Sequence, residues 1–438
     1  MAQQRPRRAD KAARRARPAQ PARGPEKMSA RGPEKKPARG SEKTPARALE
    51  KKFAGAPDQT ALCLTELALT DFRCHRFVRL SFAPGITGFA GGNGTGKTSL
   101  LEAVSLLQPG RGLRHAATSD WARRDGSGDS DGSGGSGDWA VAASVRRGGA
   151  SLLLATGATG GRRQYRLDGA AAAAQTLANL LPQLWLTPMS ERFFDDERSY
   201  RRRFLDRFAA LLHQPHGEHA RAWERAARER LRLLARADTQ TVWLDALEAG
   251  MAEHGVAIAK TRLSALDAMS RGLAQFDFAH FPKAEPALAG VLEDGLRRTS
   301  DAAVQADLQA QLAANRERDR HSGMTQVGPH RSDLQLLHPS GGSNWLASTG
   351  EQKAALLALI LAQAFVLAEQ FGFRPLLLLD EALVHLDKAR RAGLVDLLMQ
   401  LRVQALVTGQ NAEDFSVFSD AGCAMNLVVL PSDLTPAP

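Results

Sequence analysis

Cysteine is scarce in this sequence, and so are long hydrophobic runs, which argues against a disulfide-stabilised secreted protein and against a membrane-spanning protein. The three cysteines, Cys63, Cys74 and Cys423, show neither metal-ligand spacing nor a disulfide framework, as is typical of proteins in a reducing cytoplasm. No stretch reaches the roughly 18 apolar residues of a membrane span, and the arginine-rich start lacks the apolar segment of a secretion signal. The longest apolar stretch, residues 354–368, is interrupted by Gln363 and predicts a buried helix. We therefore expect a cytoplasmic protein that does not enter the membrane.

Acidic residues are in short supply only at the beginning of the chain. Residues 1–58 hold 17 of the 58 basic residues and 6 of the 47 acidic residues, so residues 59–438 carry 41 of each sign. This first segment repeats an eight-residue unit, seen as ARGPEKMS, ARGPEKKP and ARGSEKTP, with almost no apolar residues to bury. We predict a disordered basic tail over residues 1–58. Such a tail can hold nucleic acid through counterion release or can be a solvated segment with no dedicated role, and the sequence leaves both readings open.

The rest of the chain reads as an α/β unit that is interrupted and then resumed. Residues 59–190 contain short strand-like runs, a glycine-rich loop followed by a helix at about 97–107, and a Gly/Ser-rich insertion at 125–138. From about residue 191 to 325 the apolar spacing is helical. Residues 326–438 return to strand character, with a long helix from about residue 351. We predict one ATPase-like head, split into parts 59–190 and 326–438 by a helical lobe over 191–325.

The stretch GFAGGNGTGKTSLLEA, residues 88–103, matches the phosphate-loop pattern G-x-x-x-x-G-K-[ST] without a gap. In such a loop the backbone N–H groups cradle phosphates, the lysine reaches the outer phosphates and the threonine hydroxyl ligates Mg²⁺. The predicted strand before it and helix after it supply the structural context that the motif needs. The predicted nucleotide-binding residues are Gly91, Gly92, Asn93, Gly94, Thr95, Gly96, Lys97, Thr98 and Ser99.

The acids that a phosphate loop needs lie far downstream, in LLLLDEA. Four leucines predict a buried parallel strand, and Asp380 and Glu381 follow at its carboxyl end, which we expect to be exposed. Asp380 is the candidate metal-associated carboxylate, while Glu381 is the candidate base that polarises an attacking water. The separation of 283 positions between Lys97 and Asp380 argues against a compact small GTPase and favours a head interrupted by a lobe.

A third element, ASTGEQKAALLALILAQA, begins with the S-x-x-E pattern of a helix capping box, formed by Ser348 and Glu351. The capped helix presents its positive N-terminal end to whatever lies ahead of it. In a protein with a complete phosphate loop, this helix start is suited to the γ-phosphate of a nucleotide held by a second subunit. The helix start can cap the helix and also bind a γ-phosphate, so the two roles are compatible.

Together these elements resemble the ABC-type ATPase heads of SMC-like DNA repair proteins, and within them the RecF family. The resemblance rests on the glycine loop, STGEQK, LLLLDEA and HLDKARRAGL, and also on LALTDFRCHRFVRLSF, GKTSLLEAVSLLQPGRGLR, SYRRRFLDRFA and TQVGPHRSDL. It covers roughly residues 61–430. It implies an ABC-type P-loop ATPase head, with a mixed sheet and flanking helices, interrupted by the helical lobe.

The resemblance also implies roles for residues and partners. Lys97 and Thr98 become contacts to ATP and Mg²⁺, whereas Ser348 and Gly350 contact the ATP of a partner head, and Asp387 lies where two heads touch. The implied function is a weak, DNA-dependent ATPase that forms ATP-dependent homodimers, binds double- and single-stranded DNA at a junction or gap, and works with RecR and RecO in loading RecA.

Three positions depart from the family pattern. Asp71 stands where asparagine is expected, Thr408 stands where transporter ATPases place a switch histidine, and residues 185–190 offer no glutamine to sense the γ-phosphate. These departures concern the rate of hydrolysis more than nucleotide binding.

Because residues 59–438 are neutral overall, DNA binding by the folded part requires a local basic patch. The candidates are Arg73, Arg76, Arg79, Arg111, Arg114, Arg201, Arg202 and Arg203, each of which has solvated or ion-paired arginine as its simpler reading. An alternative function is the ATPase subunit of an ABC transporter, which the late position of the helical insertion and the missing histidine disfavour. A structural tether is a third alternative, but about 130 residues give two helical arms of at most roughly 100 Å, so a compact arm is expected.

Overall fold

The computed structural model describes residues 62–123, 137–195, 197–236, 241–275, 280–282, 284–337 and 348–430. The predicted tail and most of the Gly/Ser insertion lie outside the described residues. The prediction of an α/β head interrupted by a helical lobe is confirmed by what the described residues form: two main sheets with flanking helices, and a mainly helical lobe inserted between strands of the second of these sheets.

The first sheet is antiparallel, and its six strands lie in the order β2-β1-β4-β5-β6-β7. Side chains alternate between buried and more exposed along its strands, as in β4, where Trp139, Val141, Ala143 and Val145 are buried. The strands are β1 Cys63–Phe72, β2 His75–Ser81, β4 Trp139–Arg147, β5 Ala150–Thr159, β6 Arg162–Leu167 and β7 Ala170–Ala171. Helix α1, Lys97–Ser105, packs beneath this sheet.

The second sheet is parallel and carries the site. Its five strands lie in the order β13-β3-β12-β11-β8, so β3, β12 and β11 are direct neighbours. The strands are β3 Ile86–Ala90, β8 Gln183–Leu186, β11 Leu376–Leu379, β12 Ala405–Gly409 and β13 Met425–Val429. Alternate leucines of β11 enter different cores, which is why the run is apolar throughout: Leu377 and Leu379 face one cluster, and Leu376 and Leu378 face the other.

The lobe contains long helices, and it also contains a strand that the helical pattern did not predict. Strand β9, Glu285–Ala289, pairs antiparallel with β10, Asp333–Leu337, in a separate two-stranded sheet. The strand-like run DLQLLH therefore belongs to this small sheet and not to the sheet of the head. Helix α2, Ala174–Leu180, precedes the lobe, and the helices of the lobe are α3 Arg198–Leu212, α4 His216–Leu234, α5 Thr241–Gln275, α6 Val291–Arg298, α7 Asp301–Ala314 and α8 Arg316–Ser322.

A buried ion network joins the helices of the lobe. The side chain of Arg230 is fully buried, and its guanidinium donates to Glu248 at 2.8 Å, to Asp319 at 2.6 Å and to the carbonyl of Leu312 at 2.6 Å. Buried charges are tolerated when they are paired and their hydrogen bonds are satisfied, as they are here. Removal of Arg230 would leave Asp319 buried without its charge partner.

Helix α9, Thr349–Phe371, confirms the predicted buried helix. Among the described residues it is the single helix whose length and composition would suit a membrane span, yet 83% of its most apolar window is buried inside the protein. It is buried continuously from Lys353 to Ala368, and it packs against β8 and helix α5. The remaining helices are α10 Lys388–Leu401 and α11 Ser416–Asp420, and short 3₁₀ helices cover Thr118–Asp120, Pro188–Phe193, Pro329–Arg331 and Ala412–Phe415.

Candidate nucleotide-binding site

The glycine loop connects the carboxyl end of β3 to the first residue of α1, as the motif predicts. Gly94 and Gly96 have φ angles of 85° and 91°, a left-handed backbone that glycine adopts without a steric penalty. The ammonium of Lys97 is buried in the loop and donates to the carbonyls of Gly91 at 2.5 Å and Gly92 at 2.7 Å. Burial lowers the pKa of Lys97, while the nearby carboxylates of Glu381 and Asp380 raise it.

A histidine that sequence reasoning missed contacts the glycine loop. His75 begins β2 and is 1% exposed, and its Nε2 lies 3.3 Å from the carbonyl oxygen of Gly96. A Cβ atom at Gly96 would lie 2.5 Å from the His75 ring, so this position requires glycine for close approach as well as for its φ angle. Burial lowers the pKa of His75, which favours the neutral ring. A lone histidine in a hairpin gave no signal for this contact.

The metal side of the site forms where three strand ends meet. Thr98, at the second position of α1, donates its hydroxyl to Oδ1 of Asp380 at 3.0 Å, although 282 positions separate the two residues. Thr408, in β12, donates to the same oxygen at 2.8 Å and accepts the backbone N–H of Glu381 at 2.8 Å. Hydroxyl and carboxylate oxygens are ligands that Mg²⁺ prefers, and Thr98 and Asp380 converge on one point, so they fit such an ion.

Asp380 and Glu381 have different environments. Asp380 is 2% exposed, which corrects the expectation that this strand end is open to solvent. Its burial raises its pKa, whereas the hydrogen bonds from Thr408 and Thr98 lower it. Glu381 is half-buried and has a φ of 51°, a conformation that is uncommon for a side chain larger than glycine. Its N–H bond to Thr408 helps to hold it there.

Thr408, which stands where transporter ATPases place a histidine, thus has a structural role of its own in holding Asp380 and Glu381. A polar residue at the end of the apolar run ALV was the only sequence signal for it. The segment 185–190 begins in the last two residues of β8 and leaves the sheet at the same edge as Asp380, because the Asp380 N–H donates to the carbonyl of Leu186. Asp71 has a φ of 46°, in the left-handed region that asparagine also favours.

The predicted capping box is confirmed at the start of α9. The Ser348 N–H donates to Oε2 of Glu351 at 3.0 Å, and the Glu351 N–H donates to Oγ of Ser348 at 3.4 Å. Gly350 lies against the loop that follows the acidic strand, since a Cβ atom there would be 2.5 Å from the carbonyl oxygen of His385. The close approach explains why this position takes glycine.

A buried lysine fixes the capped helix to the acidic strand. Lys353 is 5% exposed, and its ammonium donates to the carbonyls of Glu381 at 2.5 Å and Val384 at 2.8 Å. Asp387 caps α10 by accepting the Arg390 N–H at 2.8 Å. Within the ranges that the structure describes, no hydrogen bond or ion pair joins Ser348 or Asp387 to residues 91–99. The structure therefore brings the candidate residues together in two groups, one around Asp380 and one around the start of α9.

Several arginines of the candidate basic patch are paired with carboxylates of the same chain. Arg73 pairs with Glu102 at 2.7 Å and Arg201 with Asp333 at 2.6 Å, while Arg202 donates to the carbonyl of Ser332. Arg79 and Arg114 also contact carboxylates, of Glu66 and Glu102 respectively. Arg76 is exposed, and Arg111 and Arg203 line a cavity. Four of the eight candidate arginines therefore have the simpler, ion-paired role, and a fifth, Arg202, is bound to a backbone carbonyl.

Comparison with known proteins decides the family. Residues 63–422 match the model of the RecF/RecN/SMC N terminal domain. A protein named DNA replication and repair protein RecF from Mesorhizobium japonicum is 40% identical over 368 residues, which cover 82% of this chain and 94% of the relative. This chain belongs to the RecF family. The RecF protein of Brucella suis biovar 1 is 39% identical over 385 residues, which cover 86% of this chain and 97% of the relative.

Solved structures confirm the fold of this RecF family member. The structures of the recombination mediator protein RecF-ATPrS and of RecF-ATP in the RecFOR pathway each superpose with a TM-score of 0.70 at 23% identity. They cover 81% of this chain and 94% and 93% of their own chains. The curated relatives reported above are repair proteins, which leaves the transporter alternative without support.

Proposed function

We propose that this protein is an ATP-dependent DNA-binding protein of DNA replication and recombinational repair, acting in the cytoplasm. The observation that carries the proposal is the 3.0 Å hydrogen bond between Thr98 of the glycine loop and Asp380 of the acidic strand, which makes one site of the two distant motifs. The names of the relatives, which are replication and repair proteins, support the biological role.

Each residue of the site has a distinct part in the proposed chemistry. The backbone N–H groups of residues 91–96 hold the phosphates of ATP, and Lys97 exchanges its carbonyl partners for the outer phosphate oxygens. Thr98 and Asp380 hold Mg²⁺, which neutralises charge on the phosphates when bound. Glu381 orients the attacking water and accepts its proton. Thr408 keeps both carboxylates in place.

A second copy of the chain completes the site in this proposal. The capped start of α9 presents its N–H groups and the Ser348 hydroxyl to the γ-phosphate held by the partner head. Lys353 joins this helix to the backbone of Glu381, so closure of the dimer and the position of the base are mechanically connected. ATP thus holds two heads together, and slow hydrolysis releases them.

The DNA-bound state is the proposed output of this dimer. Double-stranded DNA near a single-stranded junction or gap is the proposed ligand, and RecR and RecO are the proposed partners in loading RecA. These finer assignments are supported only by the resemblance to the family.

Duplex-DNA binding measured with and without ATP, alongside the dimer fraction, tests the proposal. We expect ATP to raise the dimer fraction and the DNA affinity together, and the Lys97→Ala variant to show neither increase. DNA affinity that is the same with and without ATP in the unaltered protein would refute the proposed ATP dependence.

A further inference from the structure

A cavity lies away from the glycine loop, between the segment that follows α1 and the first two helices of the lobe. Its volume is about 700 Å³. Residues 108–115 form one wall, α3 and α4 form the other, and Trp185 of β8 lies between them. Helix α1 has nine residues and is about 14 Å long, so the glycine loop and this cavity lie at opposite ends of it.

The cavity is lined by more positive charge than it can neutralise. Four arginines and one acid line it, namely Arg111, Arg203, Arg207, Arg221 and Glu224. In the part of the chain that the structure describes, none of these arginines forms an ion pair with a carboxylate. This distinguishes them from Arg73 and Arg201, whose charges are paired.

Arg207 shows the imbalance most clearly. Its guanidinium carbon lies 3.9 Å from the ring centroid of Trp185, and its Nε is buried without a hydrogen-bond partner. Buried polar groups are nearly always hydrogen-bonded, so a buried guanidinium nitrogen without a partner suggests that a ligand supplies one. Burial lowers the pKa of Arg207 to about 10.

His115 lies close to the positive charges inside the cavity. Its pKa is lowered to about 4, first by burial and then by the charges of Arg203, Arg207 and Arg111. His115 lies among three arginine charges and therefore stays neutral, although Glu224 also lines the cavity. An anion placed among these groups would reverse that effect and raise the pKa of the imidazole.

The wall that carries Arg111 and His115 is held in one shape. Gly110, Gly112 and His115 all have left-handed φ angles, of 102°, 66° and 54°. The Leu113 N–H donates to Oγ of Ser105 at 2.9 Å. Arg163 donates to the carbonyl oxygens of Leu106, Gln108 and Gly110, which fixes the start of this segment. A wall fixed in advance loses little entropy when a ligand binds.

We propose that this cavity is a second phosphate-binding site, in which Arg111, Arg203 and Arg207 surround a phosphate group. Arginine guanidinium groups match the geometry of phosphate oxygens and bind them through charge-assisted hydrogen bonds. The phosphate belongs either to a nucleic-acid strand or to a free phosphate compound. Only the first source rests on the proposed function, whereas the phosphate chemistry stands without it.

The test uses inorganic pyrophosphate and the full-length Lys97→Ala protein, so that the glycine loop contributes little. Calorimetry measures the affinity, and NMR of the His115 ring measures its pKa.

We expect binding at one site and a rise in the pKa of His115. We also expect an affinity at least about tenfold weaker in Lys97→Ala proteins that also carry Arg111→Gln and Arg203→Gln. Both arginines are exposed, so these variants should fold. Arg298→Gln, at an exposed arginine on α6, is the matched control and should bind pyrophosphate unchanged.

A second arm separates the two sources with a short DNA duplex and the same arginine substitutions, made here in a chain that retains Lys97. A weaker affinity and a smaller salt slope would support a nucleic-acid phosphate. Unchanged DNA binding with weakened pyrophosphate binding would support a free phosphate compound. If the Arg111→Gln and Arg203→Gln substitutions leave the pyrophosphate affinity unchanged, and pyrophosphate does not change the pKa of His115, the proposed site does not exist. ATP-dependent DNA binding by the unaltered protein would survive that result, so the two failures are distinguishable.

Discussion

Replacement of Thr408 by valine tests how the site holds its two acids. Valine has nearly the same shape as threonine but lacks the hydroxyl, which is fully buried and makes hydrogen bonds of 2.8 Å to Oδ1 of Asp380 and from the N–H of Glu381. After the change, the Asp380 carboxylate keeps only its bond from Thr98 among the described residues, and the Glu381 N–H has lost its acceptor.

The magnitude follows from these two bonds. The Glu381 N–H left without an acceptor costs about 1–3 kcal/mol, and the lost hydrogen bond to the Asp380 carboxylate costs about 1.5–3 kcal/mol. The unfolding free energy should therefore fall by about 2.5–6 kcal/mol. The left-handed conformation of Glu381 costs about 1–3 kcal/mol by itself and would be less well held. We therefore expect ATP turnover at saturating nucleotide to fall by at least about tenfold, which corresponds to about 1.4 kcal/mol.

Single-turnover hydrolysis and urea denaturation measure the two effects. Thr408→Ser is the matched control, because it keeps the hydroxyl and removes only a methyl group, so it should retain most of the turnover. If the valine and serine variants hydrolyse ATP equally fast, the hydroxyl does not position the acids, and the account of Thr408 is wrong.

The remaining predictions concern three basic side chains. Lys97→Ala should weaken ATP binding by about ten- to a hundredfold, because a charged donor to the outer phosphates is lost; an unchanged affinity in equilibrium titration would contradict this role. Lys353→Met should slow ATP turnover while sparing the nucleotide affinity of a single head, because the capped helix is no longer tied to the backbone of Glu381; normal turnover would show that the tie is dispensable. Arg230→Leu should lower the unfolding free energy by about 3–5 kcal/mol in urea denaturation, because Asp319 stays buried without its partner, and a change below about 1 kcal/mol would mean that the network contributes little.

The sequence predicted those parts of the site that local patterns specify. The glycine loop, the capping box at Ser348 and the buried strand before Asp380 each depend on neighbours within a few residues, and such patterns can be read directly. Thr98 and Asp380 were each assigned to the metal, Thr98 from the loop motif and Asp380 from its place at the end of a predicted parallel strand, and the structure brings the two side chains into contact.

The parts that sequence reasoning missed depend on distant partners. His75 supports Gly96 because the β1–β2 hairpin packs on the loop, and Thr408 matters because β12 lies beside β11. Strand β9 exists because β10 pairs with it, although its own residues lie within a helical pattern. The charge of Arg73 is cancelled by Glu102, which sits in a helix 29 positions away.

The central claim is that two heads share each triphosphate, and mixing two inactive variants tests it most directly. At an ATP concentration that saturates the unaltered glycine loop but not the weakened one, Lys97→Ala should stay largely free of nucleotide. Ser348→Arg should bind ATP but not close, so light scattering should show each variant as a monomer with ATP. An equal mixture should form dimers with one bound nucleotide, because one of the two shared sites then has both Lys97 and Ser348 intact. A mixture that stays monomeric, or Ser348→Arg dimers formed alone with ATP, would contradict the shared site.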